Sequence, residues 1–308
     1  MTPTNSEWLS AEMLKAFEKE KTSAYRVCHT GRFSVDRFGD DFLISMRYEA
    51  EPEALNMLQA WASDHAITIR RIYGKQLVNQ PGESDKPQLL FGDASLPSVT
   101  TASENGALFE IDFTAGYSQG FFIDQRENRR KLFENRPRKL LNCFAYTCAF
   151  SVTAALQGAS TLSVDLSKRS LEWGKRNFAL NHIDSGNHRF IADDVFKVLP
   201  RLEKRGERFD TIILDPPTFS RSPQTGAFRV EKDFPKLIDL AVACAEKKAR
   251  ILLSTNCTRL LLIDLESMGR SVCTDRGLAF RFQTTPPPAD VGAYAAPCTT
   301  WLHLDGIA

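Results

Sequence analysis

Residues 209–222 read FDTIILDPPTFSRS. The β-branched and apolar run from Thr211 to Leu214 stops at a carboxylate, Asp215, and two prolines follow. A short continuous apolar run is the pattern of a strand buried on both faces, as in a parallel sheet. Proline fixes φ and moves the residue before it away from helix, so Pro216 and Pro217 bar any further regular structure. The strand therefore delivers Asp215 to its end and leaves it on a stiff turn.

Around this strand the chain alternates. RKLLNCF (138–144), STLSVDLS (160–167), HRFIAD (188–193) and ARILLSTN (249–256) have strand character. Helical spacing fills the gaps: FSVTAALQ (150–157) up to Gly158, KRSLEWGKRNFALN (168–181), VFKVLPRLEKRG (195–206) broken at Pro200, and EKDFPKLIDLAVACAEK (231–247). Strands alternating with helices mean crossover units and a parallel sheet. The end differs: LAFRFQTTPPP (278–288) and CTTWLHLDG (298–306) read as two strands with no helix between them. Upstream, a helix over 7–20, two strands in FSVDRFGDDFLISMRY (33–48), a helix over 52–65 and a strand over 67–74 form a smaller mixed region. Residues 79–106, rich in Asn, Pro, Gly, Ser, Asp and Thr, read as loop or linker. The division expected is 1–110 and 111–308.

Bulk composition narrows the classes. The 308 residues are 43% hydrophobic and 25% charged, with a net charge of +1, so no global field draws nucleic acid and any basic surface is local. Seven cysteines without a Cys-x-x-Cys pair argue against a zinc site or a disulfide framework and for a reducing compartment. The polar N-terminus has no apolar signal-peptide core, and no apolar stretch reaches the ~20 residues of a membrane span. A cytoplasmic protein is expected, with no metal and no membrane partner.

In an open parallel sheet, ligands sit outside the carboxyl ends of the strands. The first strand gives Asn142, Phe144, Ala145, Tyr146 and Thr147, a tight turn onto a helix N-terminus. The second gives Asp165, placed for ribose hydroxyls or simply capping a helix. The third gives Asp193-Asp194-Val195, an acceptor for an adenine amine or again a cap. The fourth gives Asp215. Four strands that each end in a polar acceptor are hard to explain as four caps.

A doubly wound sheet ending in an antiparallel hairpin resembles the class I (Rossmann-like) S-adenosylmethionine methyltransferases. GYSQGFFIDQRENRR (116–130), LLNCFAYT (140–147), SVDLS (163–167), ADDVF (192–196) and ILDPPTFSRS (213–222) are similar, in order, to motifs of the large-subunit rRNA methyltransferases of the RlmI-like and RlmL-like groups. AYRVCHTGRFSVDRFGDDFLI (24–44) resembles their middle domain, while a preceding PUA domain is not expected here. The resemblance implies an enzyme that uses S-adenosylmethionine on RNA, with 23S rRNA as partner; a homodimer is compatible with it. It assigns the cofactor to Gln125, Arg126, Asn142, Phe144, Tyr146, Thr147, Asp165, Leu166, Asp194, Val195 and Asp215. It assigns the target base to the Asp215-Pro216-Pro217 turn and Phe219, and RNA contacts to Arg129 and Arg130.

Carbon 5 of cytosine becomes nucleophilic only after a thiolate adds to carbon 6. In ILLSTNCTRL (251–260), Cys257 follows the fifth strand, where the resemblance implies the nucleophile of cytosine-C5 members. The bland reading is a small buried hydrophobe. DPPTFS resembles guanine-N7 methylating relatives equally well, and those need no thiol. A third reading is an RNA-binding pseudoenzyme, because Thr147-Cys148-Ala149 stands where the family carries glycine. RENRRKLFENRPRKL (126–140) holds seven basic and two acidic residues, either a phosphate-binding stretch or a solvated helix face. Arg70, Arg71 and Lys75 form a weaker basic patch.

Overall fold

The computed structural model describes residues 8–47, 51–77, 86–116, 118–222, 226–292 and 296–307. Two compact units divide the chain: residues 1–126 with 288–294, and residues 127–287 with 295–308.

The first unit carries helices α1 (Ala11–Lys19) and α2 (Glu51–Asp64) and strands β1 (Ala24–His29), β2 (Phe33–Phe38), β3 (Asp41–Met46), β4 (Arg71–Gln76) and β5 (Gln88–Gly92). The strands form one sheet in sequential order, with only β3 and β4 parallel, joined by α2. Phe17, Phe42, Ile44, Leu58 and Trp61 fill its core. A hairpin of β6 (Val99–Glu104) and β7 (Ala107–Asp112) follows. The 79–106 stretch expected as linker thus contains β5 and β6. No residue of β5 is buried and only Ala102 and Glu104 of β6 are, too weak a pattern to stand out from polar loop composition.

The second unit is the alternating half. Its helices are α3 (Arg126–Asn135, mostly in this unit), α4 (Ala149–Ala155), α5 (Lys168–Leu180), α6 (Val195–Lys204), α7 (Val230–Ala243) and α8 (Leu262–Asp275). Its strands are β8 (Lys139–Cys143), β9 (Ser160–Asp165), β10 (His188–Ala192), β11 (Phe209–Leu214), the small pair β12 (Phe219–Ser222) and β13 (Gly226–Arg229), β14 (Ala245–Thr255), β15 (Leu278–Gln283) and β16 (Cys298–Ile307). Seven form one sheet in the order β10-β9-β8-β11-β14-β16-β15. The first five are parallel, and β16 runs antiparallel to both neighbours. The α/β doubly wound sheet with its antiparallel end is therefore as expected. Strand order reverses between β8 and β11, which is the topological switch point. Pairing of Cys143 with Val164 and Leu214, and of Leu214 with Leu253, brings the carboxyl ends level.

Two local expectations change. The helix expected to break at Pro200 runs through it to Lys204. Burial of Val195, Val198, Leu199 and Leu202 along one stripe offsets the single missing backbone bond. The helix expected to reach residue 247 stops at Ala243, and β14 begins at Ala245. Helix α8 fills the interval between β14 and β15, on which the sequence reading made no assignment. Among the described residues no helix is long and apolar enough to cross a membrane, and no group of His, Cys, Asp and Glu could hold a metal ion.

Candidate active site

The loop after β8 takes an unusual backbone path. Phe144, Tyr146 and Cys148 all have positive φ, at 58°, 47° and 63°. Left-handed backbone costs a non-glycine residue roughly 1–2 kcal/mol, so the loop persists only because its surroundings fix it. Those fixings are visible. Ala145 donates its N–H to the Val164 carbonyl at 3.0 Å, and Cys148 donates to the Ala145 carbonyl at 2.8 Å. Asp165 at the end of β9 accepts from the Tyr146 N–H at 2.8 Å and from the Ser167 N–H at 2.7 Å. Asn177 of α5, fully buried, donates from Nδ2 to the Thr147 carbonyl at 2.9 Å. Beneath the loop, Asn142 donates to Ser151 Oγ at 3.0 Å, and Ser151 pairs with Ser163 at 2.8 Å.

This network shows what holds Asn142 and Asp165 in place. Asn142 is 1% exposed and bonded under the loop, tying β8 to α4. Asp165 shapes the loop by holding the Tyr146 and Ser167 N–H groups. Burial pushes its carboxyl above the ordinary value, against the two amide donors that pull it down.

Cys148 has a specific neighbour. It is fully buried, and burial pushes its thiol up to about 12. A Cβ built on Gly174 of α5 would lie 2.9 Å from the Cys148 Cβ and still closer to its sulfur. The glycine missing from the loop is thus matched by one on the facing helix. A glycine inside a helical pattern is the signal that points to such a packing site.

At the end of β10, Asp194 caps α6 by accepting from the Phe196 N–H at 2.9 Å, with Val195 buried at the first helical position. Asp193 accepts from the Asp194 N–H and pairs with Arg201, and these partners lower its pKa. Leu166 is exposed, and Phe144 packs 6.1 Å from Phe228 between ring centroids.

The ends of β11 and β14 meet through Asp215, whose Oδ1 accepts from Ser254 Oγ at 2.6 Å. Pro216 is buried and Pro217 exposed. Phe219 begins β12, and its side chain lies outside the described residues. Cys257, 4% exposed, is held by its N–H on Thr255 Oγ1 at 3.1 Å and by the Leu260 N–H on its carbonyl at 3.0 Å. Its sulfur is 3.7 Å from Glu231 Oε1, and Arg259 Nη2 reaches the same oxygen at 2.5 Å. Sequence reasoning missed Glu231, because an acid in a first helical turn is a common surface feature.

The basic run behaves differently from an exposed phosphate stripe. It forms α3 and the start of β8. Arg126 is 1% exposed, bonded to Asp290 at 2.6 Å and to the Ala24 carbonyl at 2.7 Å within the first unit, while Gln125 is 3% exposed. Arg129 is 1% exposed over the Phe150 ring. Arg130 pairs with Glu127, Lys131 with Glu134, and Arg138 with Glu246. Arg70 and Arg71 both bind Asp41, Arg71 from a buried position.

The model of the S-adenosylmethionine-dependent methyltransferase family matches residues 34–255. The chain belongs to that family. S-adenosylmethionine is accordingly its cofactor. Ribosomal RNA large subunit methyltransferase I of Cronobacter sakazakii is 32% identical over 267 residues, 81% of this chain and 63% of that protein. The protein of the same name from Escherichia coli K12 is 32% identical over 249 residues, 75% of this chain and 59% of its own. The chain therefore spans somewhat less than two thirds of the length of these relatives. Among solved structures, SMU.776, described as a methyltransferase and complexed with SAH, matches with a TM-score of 0.81 and 27% identity over 95% of this chain and 78% of that one. A methyltransferase from Agrobacterium tumefaciens shares the fold, with a TM-score of 0.71 and 22% identity over 92% of this chain and 89% of its own.

Proposed function

We propose that this family member methylates large-subunit rRNA, at carbon 5 of a cytosine. The observation that carries the reading is Cys257, held just past the end of β14, beside the strand whose end delivers Asp215. The rRNA substrate is inferred from the relatives' names.

The residues fit the cofactor. At the ends of β9 and β10, Asp165 and Asp194 present carboxylates, the acceptor type that suits ribose hydroxyls and an adenine amine. Phe144, Tyr146 and Thr147 shape the loop between them, with Leu166 and Val195 flanking the two acids. When bound, S-adenosylmethionine supplies an electrophilic methyl group. The chain supplies the rest. Asp215, fixed by Ser254 and by a turn that proline stiffens, holds the polar edge of a base taken out of its stack. Cys257 adds through sulfur to carbon 6 of that base, which makes carbon 5 the nucleophile.

A second reading, methylation of guanine N7, is favoured by one feature: Cys257 is only 4% exposed and belongs to the apolar core of the sheet. Labelled methyl transfer to isolated 23S rRNA, followed by nucleoside mass spectrometry, separates them. The expected product is 5-methylcytidine, abolished in Cys257→Ala with cofactor affinity unchanged. Formation of 7-methylguanosine, or full activity of Cys257→Ala, overturns the cytosine reading.

A further inference from the structure

A thiol must lose its proton to bond carbon, and the described residues place one carboxylate on the Cys257 sulfur. We infer that Glu231 is the catalytic base for Cys257; the inference rests on the cytosine reading above.

Glu231 sits in the first turn of α7, with Oε1 at 3.7 Å from Cys257 Sγ, within the range of a weak S–H···O hydrogen bond. Both partners are fixed. Cys257 is anchored through its own N–H and carbonyl, and its side chain is packed into the core of the sheet. Arg259 grips Glu231 Oε1 at 2.5 Å and orients the carboxylate toward the thiol. Side-chain exposure is 31% for Glu231 and 76% for Arg259, so the pair borders solvent and a proton taken from sulfur has a way out.

The step balances without a further reagent. The S–H bond breaks and the proton goes to Glu231 Oε1. The sulfur electron pair forms the S–C6 bond, and the C5=C6 π pair moves onto the ring as the nucleophile at carbon 5. After methyl transfer the C5 proton is lost to solvent, its C–H pair re-forms the C5=C6 bond, the C6–S pair returns to sulfur, and Glu231 can return its proton to the thiolate.

Glu231→Gln tests this through two readouts that a packing role would not split. Removing a negative charge beside sulfur favours the thiolate. Alkylation of Cys257 by iodoacetamide at pH 8, followed by peptide mass spectrometry on the cofactor-free protein, is therefore expected to stay equal or rise several-fold. Methyl transfer is expected to fall about 10²-fold or more, the usual weight of a lost general base. Glu231→Asp, which keeps a carboxylate, is expected to recover part of the turnover and guards against a folding defect. Turnover of Glu231→Gln within about threefold of wild type, with Cys257→Ala inactive, overturns the role of Glu231 alone. Activity in Cys257→Ala removes the cytosine reading itself. A parallel fall in alkylation and turnover assigns Glu231 to packing and also overturns the proposal.

Discussion

Replacing Gly174 with alanine tests whether the helix glycine stands in for the missing loop glycine. The added Cβ meets the Cys148 Cβ at 2.9 Å, the Thr147 carbonyl carbon at 3.4 Å and the Cys148 sulfur closer still. Neither side can yield easily. The loop is pinned at Thr147 by Asn177 and at Cys148 by Ala145 and Val152, and Gly174 is buried in mid-helix. Overpacking of this kind costs up to ~3 kcal/mol. Alanine regains about 1 kcal/mol of helix propensity. The net expectation for Gly174→Ala is a loss of about 2 kcal/mol, from the difference of those two terms. Cys148→Gly alone should be near neutral: relief of left-handed strain, ~1 kcal/mol, is offset by lost packing and a freer unfolded chain. With Cys148→Gly present the obstacle is gone, and Gly174→Ala should stabilise by about 1 kcal/mol. The coupling is then about 3 kcal/mol, at the top of the range for residues in contact. Urea midpoints for the four proteins, with m-values checked for constancy and hydrogen exchange of α5 amides to locate the effect, measure it. Effects that add to within ~0.5 kcal/mol refute the compensation.

Two further expectations follow from buried charge. Asp290 is wholly buried under Arg126 and also accepts from the Arg26 N–H at 2.8 Å, so Asp290→Ala leaves a buried guanidinium without its nearest anion. Loss of about 3 kcal/mol is expected in the unfolding of the first unit, read by hydrogen exchange in β1; a loss under ~1 kcal/mol would mean Glu104 takes over the pairing. His303 on β16 has its pKa lowered to about 4 by burial and by Arg281 and Arg250. Its Nδ1 faces Arg281 Nη2 at 3.2 Å, and its Nε2 has no hydrogen-bond partner among the described residues. Because the folded value lies below the unfolded one, the unfolded chain takes up the proton first, and stability falls as pH drops from about 6.5 toward 4. After allowance for screening, wild type should lose on the order of 1–2 kcal/mol more than His303→Gln between pH 7 and pH 4. Parallel pH profiles for the two proteins in urea unfolding would rule this out.

The sequence by itself determined the architecture of the second unit. Apolar runs of strand length, separated by helical periodicity, specify a parallel sheet because burial pattern follows backbone period. The polar residues closing those runs, Asp165, Asp194 and Asp215, stand out because each strand's end is where its apolar pattern stops, and the fold sets them at or just past the ends of β9, β10 and β11. What the sequence left open were side chains whose roles depend on distant partners. Arg126 was assigned to the cofactor and Arg129 to RNA contact by resemblance alone, and their partners in the fold, a buried aspartate 164 residues away and the ring of Phe150, could not be read from the sequence. Cys148 read as a departure from glycine, and only the crossing of α5 over the loop shows that Gly174 makes room for it. Glu231 read as an ordinary helix-start acid until the fold set it on the Cys257 sulfur. Periodicity is local and survives in one dimension, whereas the partner of a charge or a thiol is chosen by contacts that exist only once the sheet and its helices have packed.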